Sequence, residues 1–115
     1  MTDVDFVGGM NVPSKVGRTS ATMPLARLEV VDGELLIRPR GVAARVLAAF
    51  AVPLAEVDAV FPLTGRWLTS GVGITTAHGD IAYFWTRRGP LVLEALARCG
   101  LPVETTPRRP SKMWW

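Results

Sequence analysis

The dipeptide Asp32-Gly33 lies between two apolar runs, and it constrains the fold more than any other feature of the sequence. The runs cover residues 25–31 and 34–39. An Asp-Gly pair in this setting is typical of a type I′ turn, because both central residues of that turn need a positive φ. The sequence therefore predicts a tight antiparallel hairpin here.

A second hairpin is predicted from residues 71–77 and 80–86. Its second arm places Tyr83, Phe84 and Trp85 in succession, a composition that fits a pleated, half-buried strand. Alternation along that arm puts Tyr83 and Trp85 on one face and Phe84 on the other.

The last element is a helix over residues 90–99. Pro90 suits the first helical turn, where its missing N–H costs little, and apolar residues recur at spacings of three and four. Gly100 suits a left-handed cap, and Pro102 prevents continuation. About ten residues would be marginal alone, so the apolar face must pack on a sheet.

The remaining segments are less regular. Residues 54–63 indicate a strand with a bulge, and residues 66–68 indicate the start of another. Residues 41–51 are open between a short helical turn and a strand, because periodicity cannot decide a short apolar run. Residues 1–22 are rich in Gly, Ser, Thr and Pro and predict an irregular arm, with a weak strand pattern over residues 18–23.

Composition indicates one folded domain. The chain has 115 residues, of which 49% are hydrophobic and 20% charged, with a net charge of +3. Its single cysteine excludes an internal disulfide and indicates a reducing, cytoplasmic setting. The longest apolar run, residues 46–55, is well short of the ~20 residues that span a bilayer. The acidic start, with Asp3 and Asp5, is unlike a secretory signal.

Hairpins followed by one amphipathic helix resemble the pleckstrin-homology-like (PH-like) superfold, especially small bacterial PH-like and GRAM-like domains. The matching segments are residues 24–30, the Asp32-Gly33 hairpin, residues 52–57, residues 82–86, and the helix with residues 100–103. The resemblance implies an α+β, mainly β class: an antiparallel barrel or sandwich closed by one C-terminal α-helix. It places the domain at residues 23–103, after the arm at 1–22 and before a tail at 104–115.

The resemblance implies lipid binding, peptide binding or scaffolding, and the fold does not choose among them. PH domains that bind phosphoinositides use a basic loop in the first hairpin. Here that turn is Val31-Asp32-Gly33-Glu34, which is acidic and tight and argues against inositol phosphate binding there.

Candidate catalytic groups are few. His78 and Asp80 could form an acid–base pair, but no nucleophile motif accompanies them, and a hairpin turn explains them better. Cys99 lies at a helix C-terminus, where the dipole disfavours a thiolate, so it is interpreted as structural. The glycines of residues 71–73 and 8–9 lack phosphate-loop spacing and predict a bulge and a flexible arm.

Two further groups could bind a ligand. Residues 83–85 could stack on nucleic-acid bases if exposed, although core packing is the simpler interpretation. Arg87 and Arg88 precede the helix, where its N-terminal partial charge favours anions, and they are candidate anion contacts.

The tail is the most informative local feature. Arg108, Arg109 and Lys112 precede Trp114 and Trp115, and these five residues are the candidate partner or membrane contacts. Cations and indoles suit an anionic membrane surface, whereas Trp and Arg also dominate protein hot spots. A third alternative is that the tail folds back on its own domain.

The sequence thus predicts a cytoplasmic, non-enzymatic interaction or adaptor domain without cofactor or metal, whose partner is a protein. A peripheral membrane module acting through the tail is the first alternative. A weak nucleic-acid binder is the second, and nucleic acid is the less favoured partner because the basic residues are scattered. A homo-oligomer is left open.

Overall fold

A computed structural model describes residues 4–14, 17–45, 47–64 and 70–108. These residues form a mainly antiparallel β-sheet with one α-helix. The strands are β1 (Asp5–Ser14), β2 (Gly17–Val31), β3 (Glu34–Pro39), β4 (Phe50–Pro53), β5 (Val57–Thr64), β6 (Ser70–Thr76) and β7 (Ile81–Trp85), and the helix is α1 (Gly89–Arg98).

The seven strands follow the order β4-β3-β2-β1-β7-β6-β5. The sheet is not closed, and β4 and β5 are its edges. Those edges are joined in sequence by one short 3₁₀ turn, Leu54–Glu56, so the sheet must curl to bring them near each other. One core cluster accordingly joins the inner faces of both halves, including Leu35 of β3, Val60 of β5 and Leu96 of α1.

Both predicted hairpins are confirmed. Asp32 and Gly33 have φ values of 51° and 79°, as a type I′ turn requires. The second hairpin pairs β6 with β7, and Val72 lies opposite Phe84. Phe84 is fully buried, which confirms its core-facing position in the aromatic strand.

The predicted helix is also confirmed. α1 begins at Gly89, has Pro90 in its first turn, and is followed by Gly100 at φ 87°. Val92 and Leu96 are fully buried and pack in the main core, while Leu91 is 53% exposed. Within the described residues, no helix combines the length and the apolar character needed to cross a membrane.

The expectation of an irregular arm over residues 1–22 is wrong for most of the described part. Asp5–Ser14 forms β1, which lies in the middle of the sheet between β2 and β7. The predicted short strand at residues 18–23 belongs to the fifteen-residue β2. Gly8 is not flexible either, because a Cβ atom there would lie 2.1 Å from the Trp85 carbonyl oxygen.

β1 also changes which hairpin comes first. Ser14 pairs with Gly17, so β1 and β2 form the first hairpin, and its two turn residues lie outside the described residues. The acidic Asp32-Gly33 turn belongs to the second hairpin. The Asp32-Gly33 turn is therefore not the turn of the first hairpin, and the prediction that the first-hairpin turn is acidic is wrong.

The middle of the chain contains both structures that the sequence left open. Gly41–Arg45 is a 3₁₀ turn, and Phe50–Pro53 is strand β4. The strand predicted over residues 54–63 begins later, because Leu54–Glu56 is a 3₁₀ turn and β5 covers Val57–Thr64. Its bulge lies between Val57 and Ala59. The strand predicted at residues 66–68 lies outside the described residues. No bulge occurs at residues 71–73, which pair regularly in β6.

Candidate functional site

Residues 102–108 run parallel to the exposed edge of β5, and we call them the C-terminal strap. At one end, the Val60 N–H donates to the Pro102 carbonyl at 2.9 Å, and the Glu104 N–H donates to the Val60 carbonyl at 2.7 Å. At the other end, the Arg108 N–H donates to the Pro62 carbonyl and the Thr64 N–H donates to the Arg108 carbonyl, both at 2.9 Å. The tail therefore folds back on its own domain as far as Arg108.

The strap pairs with β5 only at its two ends. The bridges join Val60 to Val103 and Leu63 to Arg108, so five steps along the strap match three along β5. Pro62 lies between the bridges and has no N–H to donate. In a regular parallel ladder, the Glu104 carbonyl would accept from the N–H of residue 62, which proline lacks. The strap therefore leaves β5 here and has two more residues than β5 between the bridges.

The Arg108 side chain lies over the outer face of the sheet. Its guanidinium carbon lies 4.4 Å from the centroid of the Phe61 ring, and its Nη2 pairs with Glu104 Oε1. Phe61, Leu63 and Tyr83 form a second, smaller buried cluster on this face. Arg108 is thus already engaged within its own domain, although its side chain is 45% exposed.

Glycine makes room for this outer cluster. Phe61 of β5 and Tyr83 of β7 both lie opposite Gly73 of β6. A Cβ atom on Gly73 would lie 2.3 Å from the Phe61 ring, so the ring occupies the space that a side chain would fill. Glycine in a central strand here allows aromatic packing, as close approach at strand glycines often does.

A second arginine covers the opposite side of the cluster. The Arg18 guanidinium carbon lies 5.4 Å from the Tyr83 ring centroid, and its Nη2 donates to the Ile81 carbonyl at 2.7 Å. Its Nε also donates to Asn11 Oδ1. Burial lowers the pKa of Arg18, and the guanidinium stays charged at neutral pH. Tyr83 is only 1% exposed and offers no open ring face for stacking on bases.

Arg87 and Arg88 lie at the corner between β7 and α1, and both are exposed. Arg88 is the N-cap residue of α1, and its N–H donates to Thr86 Oγ1 at 3.1 Å. It lines an open cleft of about 370 Å³ together with Asp5, Phe6 and Val7. Neither arginine forms an ion pair with another described residue.

The strap brings these candidates to one end of the sheet. Leu63 of β5 lies opposite Gly71 of β6, which lies opposite Trp85 of β7. Adjacent strands are about 4.8 Å apart, so the ends of β5 and β7 are roughly 10 Å apart. Arg108 pairs with Leu63 at this end of β5, and Arg87 and Arg88 follow β7 in the chain. We call the end defined by Arg87, Arg88 and Arg108 the basic end.

The other tail candidates, Arg109, Lys112, Trp114 and Trp115, lie outside the described residues. Their starting point is nevertheless fixed by the strap, because Arg109 follows Arg108 directly. Sequence reasoning had the fold-back of the tail as one of three alternatives, but it did not place the strap on β5. Its signal was the apolar pair Leu101 and Val103 after the helix cap, of which Leu101 is buried in the main core.

The catalytic candidates do not come together. His78 Nε2 lies 2.6 Å from Glu56 Oε1, within hydrogen-bond distance, and both side chains are exposed. Asp80 instead donates its backbone N–H to Thr76 Oγ1 at 3.2 Å within the turn. Cys99 caps α1 as a free thiol. Among residues 4–14, 17–45, 47–64 and 70–108, no three metal-ligating side chains converge.

Sequence reasoning also missed a network of charges on the outer face of β1, β2 and β3. Arg27 binds both carboxylate oxygens of Asp5, at 2.7 and 2.6 Å. This hydrogen bonding lowers the pKa of Asp5 and raises that of Arg27. Arg38 Nη2 lies 2.6 Å from the buried Glu29 Oε1, a close ion contact without hydrogen-bond alignment. Because each carboxylate has its own arginine, the network is largely neutral.

No protein-family model matches the sequence, and no curated protein is significantly similar to it. The assignment of a function therefore depends on the geometry of this chain.

Proposed function

We propose that this chain is a non-catalytic interaction module of PH-like architecture, which presents its basic, tryptophan-containing tail to a protein partner. The order of elements supports the architecture: successive antiparallel hairpins end in one helix, α1, that packs on the inner face of the sheet. The curled sheet, whose inner faces share one core, supports a barrel or sandwich.

The observation that carries the proposal is the strap. The strap uses four backbone hydrogen bonds to attach the chain to β5 as far as Arg108, so with the strap closed the tail starts from the basic end. The seven residues 109–115 can extend at most about 25 Å from that point. Tryptophan and arginine dominate protein–protein hot spots, and a fixed origin reduces the entropy lost when the tail binds.

The test is affinity capture from a cell extract with the immobilised full chain, followed by a direct titration with the purified captured protein. The W114A/W115A variant is expected to weaken that titration at least about tenfold, because buried indoles carry hot-spot energy. The matched control is R45A/R98A, which changes two exposed arginines away from the basic end. Equal binding by all three chains would contradict the proposal.

A peripheral membrane module is the second candidate, and the gathering of arginines at the basic end favours it. Each cation near an anionic surface contributes about 1 kcal/mol, and indoles partition into the interface. Arg87, Arg88 and the tail would face one surface together.

Co-sedimentation with phosphatidylserine-containing vesicles and with neutral vesicles tests this candidate. If it is right, the wild-type chain pellets only with the anionic vesicles, and both R87A/R88A and R109A/K112A release it, whereas R45A/R98A does not. A wild-type chain that stays in the supernatant with both kinds of vesicle would exclude the membrane candidate.

A further inference from the structure

The C-terminal strap occupies the edge of β5 without completing a ladder on it. Its hydrogen bonds fall into two separate pairs, around Val103 and at Arg108. Glu104 and Val103 are half-buried, and residues 105–108 are exposed. Segments with few buried contacts and solvent-exposed backbone bonds open locally, at lower free energy than the domain unfolds.

Opening the strap would expose backbone hydrogen-bonding groups and an aromatic ring on β5. The edge of β5 would present the Val60 N–H and carbonyl, the Pro62 carbonyl and the Thr64 N–H, which the strap now pairs. The Phe61 ring, which is 3% exposed, would lose the guanidinium above it. An aromatic face of this kind attracts a cation.

We propose that the β5 edge is a binding site for an extended basic peptide segment, and that the chain's own strap is its resident occupant, which the partner segment displaces. The ligand runs parallel to β5. It places an apolar side chain at the position of Val103, backbone N–H groups at the positions of Glu104 and Arg108, and a cation over Phe61. Each of these features is taken from the strap, which supplies it to β5 in the closed structure. The proposal does not depend on what residues 109–115 bind.

A tethered strap competes with a free peptide at an effective concentration in the millimolar range. The wild-type chain should therefore bind a peptide copy of residues 101–108 weakly. The E104P/R108P variant removes the two N–H donors that the strap supplies to β5 and leaves the core residues unchanged. The T105A/T106A control keeps both donors and changes only two exposed side chains between the bridges.

The probe is a fluorescein-labelled peptide of residues 101–108, titrated against the full-length chains and followed by anisotropy. We expect E104P/R108P to bind it at least about tenfold more tightly than the wild-type chain, and T105A/T106A to stay within about threefold of wild type. A peptide N-methylated at the two donor positions should not bind. Equal binding by the wild-type chain and E104P/R108P, or binding of the methylated peptide, would overturn the proposal.

Hydrogen exchange in the wild-type chain keeps the proposal testable if the proline variant does not fold. The amides of Glu104 and Arg108 should exchange at least about tenfold faster than that of Ile74 in β6, under conditions where the domain stays folded. Exchange of all three at the rate of global unfolding would show that the strap does not open separately, and would overturn the proposal.

Discussion

Replacing Gly71 with alanine is expected to lower the free energy of unfolding by about 3 kcal/mol, as overpacking in a closed site does. A Cβ atom there would lie 2.1 Å from the Phe84 carbonyl oxygen and 2.9 Å from the Trp85 Cα. Both are backbone atoms of β7, so no rotamer change relieves the overlap. Urea denaturation followed by circular dichroism measures the loss.

Gly89 provides the matched control for that substitution. A Cβ atom on Gly89 would meet its nearest atom, the Gly71 carbonyl oxygen, at 3.5 Å, which is ordinary contact. G89A should therefore stay within about 0.5 kcal/mol of the wild-type chain. If G71A and G89A have the same stability, the close approach of β6 and β7 is wrong.

The second large effect is expected for Leu96 of α1. Leu96 is fully buried in the main core, so L96A should cost about 2–5 kcal/mol in unfolding free energy, from lost burial and the cavity that remains. L91A makes the same chemical change on the same helix at a residue that is 53% exposed, and it should cost less than about 1 kcal/mol.

L96A and L91A change helix propensity equally, so the difference between their unfolding free energies reports the effect of burial. Thermal melts of the two variants measure it. A loss at Leu91 as large as that at Leu96 would mean that α1 packs through another face, and that the core joining α1 to both halves of the sheet is wrong.

The elements that could be predicted from the sequence are those fixed by local chemistry. Asp32 and Gly33 determine a turn through their own backbone preferences, and α1 has its proline, its apolar periodicity and its Gly100 cap within one stretch. These signals need no knowledge of the rest of the fold. The bulge in β5 was also predicted, although the sequence did not indicate its position.

Strand β1 could not be predicted in the same way. Gly8, Gly9, Asn11 and Pro13 are poor strand formers, and the segment reads as a loop by propensity. Its structure comes from tertiary pairing: Gly9 lies opposite Trp85, seventy-six positions along the chain. The small size of Gly8 allows the close approach of β1 to β7, although a glycine there argues against a strand by propensity.

The position of the strap on β5 could not be predicted, for a related reason. Which residues of the tail touch β5 depends on where the free edge of the sheet lies, and the edge depends on the whole strand order. The same order puts Arg87, Arg88 and Arg108 at one end, although the sequence separates them by about twenty positions. Sequence analysis named all three arginines as candidate contacts, but it did not place them at one end of the sheet.

We propose that the tail, held by the strap at the basic end, is the element through which this domain binds its partner. The most direct measurement is a calorimetric titration of the captured, purified partner against the wild-type chain, W114A/W115A and R45A/R98A. The claim predicts that only W114A/W115A loses affinity, at least about tenfold. Unchanged affinity for W114A/W115A, or an equal loss in R45A/R98A, would contradict it.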